Sequence, residues 1–377
     1  MVKKQMKNPF YIRELPLDAP FCNREKEINE LVRHGKNRMN VILYSPRRFG
    51  KTSLAKRAMS VLSKEMTTTI YMDFMGTTSI DEIAERIAVK TYQYTYAKEN
   101  LFKKVTRIFS SWRPVLRPDP ETGLNITVES VPGRRGRIIL EETLQSLGKF
   151  SSEAEKGCYI VFDEFQEITE IKDSITIEGI MRSEIQQHNK ISYLFIGSRR
   201  RVLLDMFNQK KRPFYQSGIN YSLNPLNTDI LSKFLVEQFH LGNKICPDEI
   251  AQKISERVHG YPYYVQKIAY FIYELSGKKI TENDYYNAFK LLLESEKPLF
   301  EVMIQSLAGQ QIALLVALAK EPTGVPFSAA YMSKHQLGSI GGVQGAIKKL
   351  ISLDYIEKSQ NIFSIVDPIF ATWLTLL

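Results

Sequence analysis

The sequence predicts an α/β chain: a parallel sheet covered by helices on both faces, then an all-helical segment, then a small terminal domain of helices and a hairpin. Three observations carry this reading. Apolar runs rich in β-branched and aromatic residues occur at Val41–Tyr44, Thr68–Phe74, Tyr159–Phe162, Ser192–Ile196 and Ile219–Leu223, most of them separated by helical patterns. Strands that alternate with helices make a parallel sheet, whose strands are buried on both sides. From about Asn227 the strand-like runs stop, and Ile230, Phe234, Leu235 and Phe239 recur at helical spacing in a segment that reads as helices to Glu296. Finally, helical patterns at Gln310–Ala319 and Val343–Leu353 bracket SAAYMSKHQLGS, and DYIEKSQNIFSIVD gives two short strands around a polar turn at Ser359–Asn361. Helix, short helix, helix and hairpin in that order make a winged helix.

Each sheet element has its own justification. Tyr159–Phe162 is a continuous apolar run closed by Asp163 and Glu164, and Ser192–Ile196 is a similar run closed by Gly197, Ser198 and three arginines. Such runs suit strands that never see water. An insertion interrupts this order. Between Phe102 and Ile138 stand Lys103, Lys104, Arg107, Arg113, Arg117, Arg134, Arg135 and Arg137 against Asp119, Glu121 and Glu129. Within it, WRPVLRPDPETGLNITVESV reads as a β-hairpin around the turn Asp119–Gly123.

The bulk properties exclude several classes. A chain of 377 residues with 44% apolar and 11% aromatic content has core material for more than one domain and is not disordered. Lysine and arginine total 51 against 41 acids, a formal charge of +10 that favours a polyanionic partner such as a nucleotide or nucleic acid. The 3 cysteines, Cys22, Cys158 and Cys246, have no metal spacing and read as reduced thiols. The start, MVKKQMKNPFYIRELP, has lysines without a following apolar stretch, and no run approaches membrane-spanning length, so a cytoplasmic protein is expected.

The chemistry sits at strand ends. Ile42–Met59, ILYSPRRFGKTSLAKRAM, passes from a strand through a basic loop ending in glycine into a helix. A nucleoside triphosphate needs backbone N–H groups around its phosphates, a positive helix end, an ammonium and a hydroxyl for Mg²⁺. The loop Ser45, Pro46, Arg47, Arg48, Phe49, Gly50, with Lys51, Thr52 and Ser53 opening the helix, supplies them: a P-loop. Gly50 lets the backbone approach, Lys51 reaches the β- and γ-phosphates, and Thr52 holds Mg²⁺. The full pattern is G-x-x-x-x-G-K-[ST], and Ser45 stands at the first glycine. A GKT at a helix start can arise by chance, but a second motif accompanies it. Asp163 and Glu164 end a buried strand, where ligands sit in open α/β sheets, so Asp163 is expected to serve Mg²⁺ and Glu164 to polarise the attacking water. An acidic opening of the next helix is the alternative for that pair.

Two further signals stay open. In ISYLFIGSRRR, Ser198 or Arg199 is placed to sense the γ-phosphate, or the arginines are a solvated cap. In KKRPFY, Arg212 is placed to reach a neighbouring subunit's nucleotide, or the cluster is a solvated loop.

Taken in order, FCNREKEINEL, SPRRFGKTSL, IVFDEFQEI, FIGSRRR, RPFY, HGYPYYVQ and the terminal IVDPIFATWL resemble the archaeal-type ATPases of the STAND/AAA+ group, which are related to replication-initiator ATPases. The likeness covers nearly the whole chain. It implies a P-loop ATPase domain at 1–225 carrying the basic insertion 103–137, a helical lid at 226–298, and a winged-helix domain at 299–377. It implies that Pro20–Glu25, with Phe21, Arg24 and Asn23 in place of a glycine, lies near the adenine, and that Gly260–Pro262 closes the lid over the nucleotide. It also implies that Gln166 extends the acidic motif. Family members usually carry G-P-R-R, so Ser45 is a departure that bears on nucleotide affinity rather than fold.

The expected function is therefore an ATP-binding, Mg²⁺-dependent ATP-hydrolysing switch acting on or near DNA. In GGVQGAIKKLISLDY, Gln344, Lys348 and Lys349 stand among Val343, Ile347, Leu350 and Ile351, so Lys348 and Lys349 with the basic insertion are the candidate contacts to double-stranded DNA. That helix has no arginine or asparagine for bidentate base contacts, so phosphate contact is expected to dominate. The alternatives are a nucleic-acid-binding regulator that uses ATP structurally, and a protein-interaction scaffold; a second copy or a client protein are further candidate partners.

Overall fold

In the computed structural model, residues 8–96, 99–119 and 123–377 are described; the lysine-bearing start 1–7 and residues 120–122 of the expected hairpin turn lie outside them. The chain divides into two compact units: Arg24–Ser45 with Lys51–Leu223, and Met1–Asn23 with Pro46–Gly50 and Asn224–Leu377.

The first unit contains α1 (Glu25–Lys36), β1 (Val41–Tyr44), α2 (Lys51–Lys64), β2 (Thr68–Asp73), α3 (Ile80–Thr95), α4 (Glu99–Ile108), β3 (Trp112–Asp119), β4 (Gly123–Ser130), α5 (Gly136–Ser152), β5 (Cys158–Asp163), a 3₁₀ turn (Phe165–Glu170), α6 (Ser174–Gln187), β6 (Ile191–Gly197), α7 (Arg200–Asn208) and β7 (Ile219–Ser222). Five strands form one sheet in the order β2-β5-β6-β1-β7, and every pairing is parallel. Every residue of β5 and β6 is buried, as their unbroken apolar runs require. Phe162, Phe165, Phe195, Phe207 and Phe214 interlock beneath the ends of these strands. That rigid floor fixes where Asp163, Glu164 and Ser198 emerge. The hairpin β3–β4 is antiparallel, with Trp112 opposite Ser130. It is pinned by the Trp112 indole N–H, which donates to the Thr143 hydroxyl at 2.7 Å.

The second unit contains α8 (Thr228–Leu241), α9 (Asp248–Arg257), α10 (Pro262–Leu275), α11 (Glu282–Gln305), α12 (Gly309–Lys320), α13 (Ala329–Lys334), α14 (Ile340–Ser352), β8 (Ile356–Ser359), β9 (Ile362–Ile365) and α15 (Pro368–Leu374). Side chains that accept orphan N–H groups open these helices: Asn227 at α8, Ser328 at α13, Ser339 at α14 and Asp367 at α15, with a Thr281–Asp284 capping box at α11. The β8–β9 turn places Gln360 at φ 48° and Asn361 at φ 65°, the left-handed pair that a two-residue hairpin loop demands. The N-terminal strap belongs here: Phe10 meets Phe239 at 4.6 Å between centroids, and the Asn8 amide donates to Glu274 at 2.7 Å. One element differs from the sequence reading. The sequence reading carries the helical segment to Glu296, yet α11 runs on through Pro298 to Gln305. Burial of Glu296 and Phe300 on one face of the helix outweighs the hydrogen bond that proline removes.

Candidate nucleotide site

The loop at residues 45–50 joins β1 to α2, and α2 begins at Lys51. Gly50 has φ 79°, where glycine carries no steric penalty. Ser45 is buried and outside the left-handed region, so the position taken by the family's glycine tolerates a side chain here. Its hydroxyl and carbonyl both accept from the Lys51 ammonium, at 3.3 and 3.0 Å.

At the second residue of α2, the Thr52 hydroxyl donates to Asp163 Oδ2 at 2.7 Å. Tyr71, on the adjacent strand β2, donates its hydroxyl to the same oxygen at 2.6 Å. The backbone N–H of Glu164 donates to Oδ1 at 2.9 Å. Burial raises the Asp163 pKa; the Tyr71 and Thr52 hydrogen bonds oppose this, while the neighbouring Glu164 charge adds to it. Burial, then the Asp163 charge, pushes the Tyr71 hydroxyl up, so it remains a donor.

Glu164 follows at φ 49°, a left-handed conformation uncommon outside glycine and asparagine. Its Oε2 accepts from the Ser198 hydroxyl at 2.9 Å and from the Gln166 amide. The tips of β5 and β6 thus hold one carboxylate from two sides. Gly197 makes room for this: a Cβ there would lie 2.3 Å from Gln166 Oε1. Arg199 turns elsewhere, to Glu170 at 2.8 Å and Glu167 at 3.3 Å. Arg212 is engaged within its own unit by both oxygens of the fully buried Glu178. Arg24 is buried and pairs with Glu27 at 2.6 Å.

In the other unit, Arg48 has φ 72° and pairs with Glu296 at 2.8 Å. It also donates to the Tyr264 hydroxyl and lies over the rings of Tyr263 and Tyr264 at 4.5 and 5.1 Å. Glu296 accepts from Lys267 at 2.6 Å, and Tyr264 donates to Asp367 at 2.5 Å. Burial would lower the Arg48 pKa, but Tyr264, Glu296, Asp367 and Tyr263 together raise it. Phe49 packs edge-on against Tyr261 at 4.4 Å, and Pro262 occupies the first turn of α10. Asn23 has φ 46°, which explains why asparagine replaces glycine in the Pro20–Glu25 box. Phe21 is partly buried and Arg47 exposed, while Pro46 and Ser53 are partly buried.

Residues 21–268 match a family model described as an ATPase domain predominantly from Archaea. The chain belongs to this archaeal-type ATPase family. Residues 298–376 of the ATPase match a second model, a probable winged helix domain. Among solved structures, the ATPase is similar to the Walker-type ATPase of Pyrococcus abyssi at 18% identity, covering 97% of this chain and 99% of that one, with a TM-score of 0.72. It is also similar to the ORC2 protein of Aeropyrum pernix in its ADP form at 15% identity, covering 97% and 98%, with a TM-score of 0.56. At these identities the likeness establishes the fold. None of the curated proteins compared with it matches the sequence. Among the described residues, no helix is long and apolar enough to cross a membrane.

Two of these residues, Tyr71 and Glu296, are not marked by any motif in the sequence. Tyr71 reads as one more aromatic in a strand. Glu296 carried a signal that went unused: it stands at i+4 from Leu292 and i−4 from Phe300, all three buried, and a charge on an apolar helix face implies a buried partner.

Proposed function

We propose that this ATPase binds ATP with Mg²⁺ and hydrolyses it as a cytoplasmic switch whose lid and winged helix respond to nucleotide. The observation that carries the reading is the Thr52–Asp163 hydrogen bond of 2.7 Å beside a buried Lys51. The loop Ser45, Pro46, Arg47, Arg48, Phe49, Gly50 with Ser53 cradles the phosphates, and Lys51 exchanges Ser45 for the β- and γ-phosphate oxygens. Thr52 and Asp163 offer two hard oxygen donors, which suit Mg²⁺. The ion, when bound, neutralises charge between the β- and γ-phosphates. Glu164, oriented by Ser198 and Gln166, takes the proton of the attacking water. Of the two sensor candidates, Ser198 lies against Glu164 at 2.9 Å, whereas Arg199 pairs with Glu167 and Glu170. An in-trans role for Arg212 requires its pair with Glu178 to open. Phe21 and Arg24 serve the adenine side, and Pro262 the lid.

Exposed Lys348 and Lys349 on α14, together with the basic insertion, support phosphate-driven contact with double-stranded DNA. A salt titration of duplex binding tests it: affinity that falls steeply with salt supports contact, and no binding at low salt removes it. A second copy or a client protein is the alternative partner. The nucleotide reading is tested by equilibrium binding of a fluorescent ATP analogue. Lys51→Ala should weaken binding roughly tenfold or more, the worth of a charge-assisted hydrogen bond. Unchanged affinity would remove the phosphate role.

A further inference from the structure

Asp163 is held on more sides than its proposed role requires. Its Oδ2 receives two hydroxyls, Thr52 from α2 and Tyr71 from β2, while Oδ1 receives the Glu164 N–H. A carboxylate oxygen has two lone-pair directions, so both directions of Oδ2 are filled. The two donors differ in what they can do next. Thr52 is itself a candidate Mg²⁺ donor, and a lone pair of its oxygen can take the ion while its O–H continues to donate to Asp163. Tyr71 has no such second task.

Its hydroxyl is delivered by a fixed strand. Tyr71 pairs with Val161 in the parallel register that sets Asp73 opposite Asp163, and Lys56 of α2 lies over its ring with the ammonium 4.9 Å from the centroid. The helix that starts at the phosphate loop thus covers the ring with its Lys56 ammonium. We infer that Tyr71 is the positioning residue of the metal-bearing carboxylate: its hydroxyl, delivered from the neighbouring strand, fixes the orientation in which Asp163 faces the cation or its bound water. Outer-sphere partners of this kind set the affinity of a metal site without touching the metal.

The inference rests on the Mg²⁺–ATP reading above, and its test separates the two. Tyr71→Phe keeps the ring against Lys56 and removes the hydroxyl alone. Binding of a fluorescent ATP analogue is measured in EDTA and across a Mg²⁺ titration, with Mn²⁺ binding followed in parallel by electron paramagnetic resonance. The wild type should bind nucleotide more tightly with metal. In Tyr71→Phe the metal concentration for half-saturation should rise roughly tenfold, within the range seen for lost outer-sphere partners, while affinity in EDTA stays at the wild-type value. A metal titration that matches wild type overturns the positioning role, and so does an equal loss with and without metal, which marks general damage to the site. Absence of any metal effect in the wild type itself overturns both the inference and the reading beneath it.

Discussion

Arg48 and Glu296 meet at 2.8 Å with the glutamate side chain 3% exposed. Glu296 also accepts from Lys267 at 2.6 Å, so one buried carboxylate answers two cations from a loop and a helix far apart in sequence. Removing it leaves the buried Lys267 without its carboxylate and Arg48 with only the charge of Asp367 nearby. Glu296→Ala should therefore cost about 3–5 kcal/mol, and Glu296→Gln less, because the amide oxygen still accepts one bond. Urea denaturation of the three proteins checks this; a loss within about 0.5 kcal/mol for alanine, the range of ordinary surface changes, would contradict it.

Gly260 supports the turn before α10 for two separate reasons. Its φ is 69°, and a Cβ would sit 2.2 Å from the Leu226 carbonyl oxygen. Left-handed backbone costs a non-glycine residue about 1–2 kcal/mol, and overpacking adds about 1–3. Gly260→Ala should lower the thermal midpoint markedly. Gly277→Ala, where nothing lies within 4 Å of the added carbon, is the control and should shift it little. Equal shifts in the two variants would overturn the steric account.

His188 sets an acid limit on stability. Burial pushes its pKa down to about 4, opposed by a backbone hydrogen bond at Leu144, and its ring meets the Tyr193 hydroxyl at 2.6 Å. In the unfolded chain the imidazole titrates near its ordinary value of about 6.5. A depressed folded pKa means that the contribution is complete above about pH 6.5 and disappears as pH falls through about 4, up to about 3 kcal/mol in total. Urea midpoints at pH 7, 5.5 and 4.5 should fall in the wild type and fall less in His188→Gln. Parallel curves would rule the histidine out.

What could be read in the sequence was what lies close along the chain. The runs of β5 and β6 announced themselves because strands buried on both faces need unbroken apolar residues, and the hairpin of β8 and β9 did so through its polar turn. The loop from Ser45 to Thr52 is contiguous, so its chemistry is written as a motif. The partners of that chemistry are not contiguous. Tyr71 reaches Asp163 only because β2 and β5 pair in register, and no local pattern distinguishes it from a packing tyrosine. Arg212 looked like a solvated or subunit-reaching cation because its neighbours are basic; Glu178, which engages it, lies on α6 with nothing in the sequence to mark it as buried. Arg48 read as one more phosphate-loop residue, while its contacts with α10 and α11 depend on how distant helices pack.

The most direct test of the account is phosphate release from ATP by wild type and Glu164→Gln under saturating Mg²⁺, with nucleotide affinity measured on the same samples. The account predicts a fall on the order of 10²–10⁴-fold in turnover with affinity retained, because the amide keeps the contacts with Ser198 and Gln166 but cannot take a proton. Equal turnover in the two proteins would contradict it.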